Sequence, residues 1–160
     1  MGAHHQGRRR VRRLKADSFR ISQPPSGGFF FNACHPLMTP VALRVVDSIT
    51  QLGEHDRGCI AVSGSHGGVS SARYALAARP LLSIFNDAGV GKDGAGVAAL
   101  RLLQCQGLAA CTVAHASARI GDAQSTLQDG IINHVNAAAE RIGVALGQRC
   151  VDAVAAIRNP

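Results

Sequence analysis

His66, Asp87 and His115 each stand in a small-residue, polar segment that directly follows an apolar run. The three segments are Gly64-Ser65-His66-Gly67-Gly68, Asn86-Asp87-Ala88-Gly89-Val90-Gly91-Lys92-Asp93-Gly94, and His115-Ala116-Ser117-Ala118-Arg119-Ile120-Gly121-Asp122. Imidazole titrates near neutral pH and a carboxylate can orient it, so two histidines and one aspartate form an acid/base set, with His66 and His115 as the proton carriers. Arg119 adds a planar fork suited to a carboxylate or phosphate. The glycines Gly67, Gly68, Gly89 and Gly91, with Asn86, Lys92 and Ser117, would complete an anion cradle of exposed backbone N–H groups.

Ser65 extends this set. Ser63-Gly64-Ser65-His66-Gly67 has the small-x-nucleophile-x-small form of a nucleophile elbow, with Ser where the first Gly belongs. A triad of Ser65, Asp87 and His115 can be written down, although 160 residues is short for a full α/β-hydrolase sheet and only geometry decides such a triad. Each residue also has a structural reading. Asp87 and Asp122 can cap the helices that follow or fix their own turns, Arg119 can pair with Asp122 or Asp93, and a histidine at a strand end can be a satisfied core residue.

Gly89-x-Gly91-x-x-Gly94 matches the dinucleotide fingerprint by letter, yet Ala114, His115 and Ala116 stand where the ribose-binding acid should end the next strand. A Walker A loop fails as well, because Asn86 replaces its first Gly and Asp93 follows Lys92 where Ser or Thr is needed. His66, His115, Asp87 and Asp122 are all metal-ligand types, but no short-range ligand pair joins them, and neither a metal nor a cofactor is expected.

These loops need a scaffold that brings them to one edge. Ile60 to Val62 with Cys59, Leu81 to Phe85, and Leu108 to Ala114 read as strands; Val69 to Ala78, Asp93 to Gln106 and Gln124 to Ile142 read as helices, the last with Leu127, Ile131, Val135 and Ala138 at helical spacing. Val41 to Thr50 leans to an extended element on its content of Val and Ile, Gly53 to Gly58 is a turn, and Val144 to Ile157 is a helix or a helix with a short strand. Alternating strands and crossover helices predict an α/β fold: a three-layer αβα sandwich on a small, mainly parallel sheet of three to five strands. Open sheets of this type bind ligands outside the carboxyl ends of their strands. His134, inside the expected long helix, is assigned to an interface or a solvated face.

Composition agrees with one globular domain over 38–160: 46% of the chain is apolar, 17% charged, and only 4% aromatic. The net charge of +7 is concentrated at the start, where residues 1–20 carry seven Arg or Lys against Asp17 alone. Residues 1–37 lack any amphipathic period and read as a disordered basic extension, or as upstream sequence that does not belong to the native domain. Nucleic acid is a partner only through that arm. The five cysteines make no Cys-x-x-Cys pair and are expected to be reduced, mostly buried thiols. No apolar run reaches the ~20 residues of a membrane span, and a cytoplasmic location follows as the expectation.

The reading is a small enzyme acting on a phosphate- or carboxylate-bearing metabolite by hydrolase-, lyase- or isomerase-type proton transfer, in a domain that completes its core as a homodimer. A non-catalytic nucleotide or phosphate-ligand module, or a nucleic-acid binder using the basic arm, is the alternative.

Overall fold

The computed structural model describes residues 39–159. Expectations for residues 1–37, including Cys34, lie outside the described residues. Five strands, β1 (Leu43–Val46), β2 (Ile60–His66), β3 (Leu82–Asn86), β4 (Ala109–Val113) and β5 (Ile132–Val135), form one sheet in sequential order. The first four are parallel and β5 runs antiparallel against β4.

Side chains alternate across a strand, and every residue of β3 and β4 is buried, so both faces of the central strands must be covered. On one face Ala61, Phe85 and Ala110 pack against Ala72 and Ala75 of α1 (Val69–Ala78) and against Ala99, Leu100 and Leu103 of α2 (Ala98–Gln104). On the other, Val62, Ile84 and Cys111 meet Leu127 of α3 (Ala123–Gln128), Ala138 of α4 (Ala137–Arg141) and Val154 of α5 (Cys150–Arg158). The fold is the expected three-layer α/β arrangement. Alanine-faced helices allow close approach to the sheet, which is why so few aromatics suffice; among the described residues Phe85 is the largest fully buried side chain.

The segment 124–142 departs from the expected long helix. α3 stops at Gln128, just before the poor helix former Gly130, where a Cβ would collide with the Thr126 carbonyl oxygen and lie 2.8 Å from Val113 Cγ1. The β-branched residues that follow, Ile132 and Val135, then pair as β5, which places His134 opposite Thr112 on a strand. Helix α2 also begins later than expected. Lys92–Val97 is an irregular 3₁₀ segment in which Asp93 and Gly94 have φ of 56° and 73°, and regular helix starts only at Ala98.

Three of the four cysteines described, Cys59, Cys111 and Cys150, are buried, whereas Cys105 is exposed on the turn after α2; all four are free. Burial, with the nearby Asp56 carboxylate, pushes the Cys59 thiol up to about 11, and burial alone pushes Cys150 to about 12. Both are protonated thiols that pack as small apolar groups. Among the described residues no helix is long and apolar enough to cross a membrane.

Candidate functional site

Parallel β2, β3 and β4 deliver all three polar loops to the same sheet edge, and the central one carries Asp87. Its carboxylate is only 4% exposed in a position just beyond the buried strand β3, so every lone pair must find a donor. Four are supplied. Oδ1 accepts from Gly89 N–H at 2.9 Å, from His115 N–H at 2.8 Å and from the His115 ring at Nδ1, 3.0 Å away, while Oδ2 accepts from Asn133 Nδ2 at 2.7 Å. Burial pushes the carboxyl up, but these bonds outweigh it and hold Asp87 below its ordinary value. The group is therefore ionised and acceptor-only, which requires the proton of His115 to sit on Nδ1.

The hydrogen-bond chain continues from Asp87 back into the sheet. Asn133 turns its amide NH₂ to the carboxylate and its oxygen to Thr112, whose hydroxyl donates to Asn133 Oδ1 at 2.9 Å. Thr112 Oγ1 has no second proton, so His134 Nδ1, 3.1 Å away, donates to it. A one-directional chain of donors thus ends on Asp87 and leaves His115 Nε2 without a partner among the described residues. The His115 side chain is 58% exposed, in contrast to its anchor. A buried carboxylate that orients a solvent-facing imidazole is an arrangement able to accept and return a proton.

His115 lines a cavity of about 210 Å³ together with Ser117, Arg119, Ser125 and Asp129. Arg119 is 84% exposed, and its nearest acid, Asp122, lies at 3.9 Å, the outer limit of an ion pair. Such a pair contributes little, so the guanidinium is free to turn to a ligand. Asp122 mainly caps α3, accepting from Ser125 N–H at 2.8 Å. Ser117 is structural in this arrangement: its hydroxyl donates to Ala114 O at 2.7 Å and accepts from Ile131 N–H at 2.9 Å.

Ser65 and His66 are not part of this cavity. They line a larger one, about 390 Å³, on the far side of the segment running from Ala118 to Gly121, whose Gly121 N–H bonds to Gly64 O at 2.7 Å. Ser65 Oγ accepts from Ile49 N–H at 3.0 Å. Ser65 and His115 accordingly line different cavities, as do the two histidines, so the Ser65, Asp87, His115 set is not gathered around one cavity.

The proposed anion cradle is also rearranged. The N–H groups of Gly67 and Gly68 bond to Asn86 O and His66 O, and those of Gly89 and Gly91 to Asp87 Oδ1 and Gly89 O. These glycines serve packing: a Cβ at Gly67 would come within 2.7 Å of the Gly96 carbonyl oxygen, where the first two loops touch. Asn86 is fully buried, donating to Ala118 O at 3.0 Å and accepting from Ala88 N–H at 2.8 Å, so it ties the second loop to the third. Lys92 is exposed and has no partner among the described residues.

The second loop is strained. Ala88, Val90 and Asp93 all have positive φ, at 48°, 66° and 56°, and a β-branched residue in that region costs roughly 1–3 kcal/mol. The strain is retained beside His115, whose ring lies 3.6 Å from where a Gly89 Cβ would be.

Sequence reasoning missed Asn133, Thr112 and His134. The Asn133-His134 pair was visible as polar residues in an apolar stretch, but on an assumed helix they could not be aligned with Asp87. Among the described residues there is no cluster of three or more His, Cys, Asp or Glu side chains arranged to hold a metal ion. No protein-family profile, curated protein or solved structure matches the chain.

Proposed function

We propose that this protein is a small acid/base enzyme acting on a phosphate- or carboxylate-bearing metabolite at the carboxyl edge of its parallel strands. His115 is the proton carrier through Nε2, Asp87 fixes its tautomer and stabilises the imidazolium that forms, and Arg119 pairs with the anionic group of the substrate. Asn133 is a positioning residue that holds Asp87. The observation that carries this reading is the buried, four-fold hydrogen-bonded carboxylate of Asp87 beneath an exposed imidazole.

Proton transfer at one imidazole suits hydrolase, lyase or isomerase chemistry. The cavity of about 210 Å³ suits a compact substrate. Asp129, which lines the same cavity as Arg119, favours one that carries a hydroxyl or amine donor as well as its anion.

The test is a turnover screen of the full chain against small phosphorylated and carboxylic metabolites, run in parallel with His115→Gln and Arg119→Ala. Turnover that falls by about 10²–10⁴-fold in His115→Gln, with a rise mainly in KM for Arg119→Ala, is the expected result. Turnover unaffected by His115→Gln, or ligand binding without any turnover, overturns it in favour of another base or of a binding module.

A further inference from the structure

The larger cavity has no role in this proposal, and its chemistry is different. It opens at the start of α1, a ten-residue helix whose N-cap is Gly68, with no side chain bonded to the helix end. The first regular helix bond is Ala72 N–H to Gly68 O, and the N–H groups of Val69, Ser70 and Ser71 have no acceptor among the described residues. Unfilled N–H groups at a helix start carry a partial positive charge.

A second observation points to a ligand there. Ser71 is only 5% exposed and lines the cavity, yet its hydroxyl makes no hydrogen bond among the described residues. Serines in helices usually bond to the carbonyl four residues back, as Thr126 Oγ1 does to Asp122 O at 3.0 Å; Gly67 O, the equivalent acceptor for Ser71, takes Ala99 N–H at 2.8 Å instead. The Ser71 Oγ therefore keeps its hydrogen-bonding capacity free at the cavity wall, where a ligand atom can take it up. The His66 ring stands at the same end, packed against Gly68 where a Cβ would collide with it. Apolar surface follows from Tyr74 and Ile120, which are 45% and 56% exposed. Asp47 also lines the cavity; its Oδ1 accepts from Ala123 N–H at 3.0 Å and its Oδ2 has no partner among the described residues.

We infer that this cleft is a second ligand site, separate from the His115 cavity, and that it takes a small hydroxylated organic acid. The anionic group sits on the N–H groups of α1 and the Ser71 hydroxyl, and a ligand hydroxyl donates to Asp47 Oδ2. The volume of about 390 Å³ accommodates a three- to six-carbon acid. This inference does not depend on the acid/base reading, because none of the residues carrying it touches Asp87 or His115.

The experiment is an amide ¹H–¹⁵N titration of the full chain with glycerol 3-phosphate, glycerate and inorganic phosphate, the last probing the anion subsite alone. Saturable shifts at Val69, Ser70 and Ser71 are expected, with glycerol 3-phosphate or glycerate binding more tightly than phosphate. Ser71→Ala should weaken binding about tenfold, as loss of a hydrogen bond to a charged group does. Ser70→Asp should abolish it while thermal stability stays level or rises, since a carboxylate in the first turn complements the helix dipole. His115→Gln should leave these shifts intact, which separates this site from the proposed catalytic one. No saturable shift at 69–71 with any of the three probes, or shifts that persist in Ser70→Asp, overturns the inference.

Discussion

Replacing Asp87 with Asn preserves the shape of the site and removes one charge. The carboxylate accepts three hydrogen bonds at Oδ1 and one at Oδ2, all between 2.7 and 3.0 Å. Bonds to an ionised group are each worth ~1.5–3 kcal/mol against ~0.5–1.5 for neutral partners, so the three at Oδ1 lose roughly 3–4.5 kcal/mol together. At the other position the new amide nitrogen faces Asn133 Nδ2, donor to donor. Asn133 cannot simply turn round, because its oxygen already accepts from Thr112. That contact costs about 1–3 kcal/mol more, and the smaller desolvation cost of a neutral side chain offsets about half of the total, leaving a loss near ~3 kcal/mol. In urea unfolding with an m-value of ~1.5 kcal/mol/M, the midpoint should fall by about 2 M. A double-mutant cycle with His115→Ala should show coupling of about 1 kcal/mol or more. If the Asp87→Asn midpoint lies within about 0.3 M of the parent, or the cycle shows no coupling, the carboxylate is not holding the imidazole as described.

Other perturbations follow from the same structure. Asp87 is held below its ordinary value of 3.8, so its ionic stabilisation is fully present above that pH and is lost as pH falls through its lowered folded value; the stability gap between the parent and Asp87→Asn should therefore shrink below about pH 4 in an acid-unfolding series. Gly96→Ala would drive a Cβ into the Asp87 carbonyl oxygen, so a loss of about 2–3 kcal/mol and a shifted His115 spectrum are expected by calorimetry and NMR. Asn136 accepts from Ala110 N–H and Ala139 N–H and donates to Leu100 O and Leu108 O; Asn136→Ala leaves these buried groups unsatisfied and should lower stability by about 3 kcal/mol in urea, with no change at His115.

Much of the fold was legible because the apolar runs of β2, β3 and β4 are short, continuous and closed by glycine loops, a pattern that a doubly covered parallel sheet satisfies. α1 matched from Val69 to Ala78, its end fixed by Arg79 in a left-handed turn and Pro80 after it. The helical spacing of Leu127, Ile131, Val135 and Ala138 points to one long helix after Asp122, whereas the deciding facts are the helix-breaking Gly130, set where no side chain fits, and the antiparallel pairing with β4. That spacing hid Asn133, which becomes a partner of Asp87 only once β5 exists.

The candidate site divides along the same line. Asp87 and His115 lie on adjacent parallel strand ends, and strand order alone brings them together. His66 sits one strand further away, and which wall a side chain faces depends on loop packing, here the Gly64 to Gly121 contact, that no spacing rule encodes. The glycines announced loops correctly, but their backbone donors are engaged within those loops, which a residue count cannot reveal.

The most direct measurement is the ring ¹⁵N spectrum of His115 at a pH where the imidazole is neutral. The Nδ1–H tautomer, with Nε2 unprotonated, is expected in the parent protein and should be lost in Asp87→Asn. An Nε2–H tautomer in the parent protein, or a spectrum unchanged by that substitution, would contradict it.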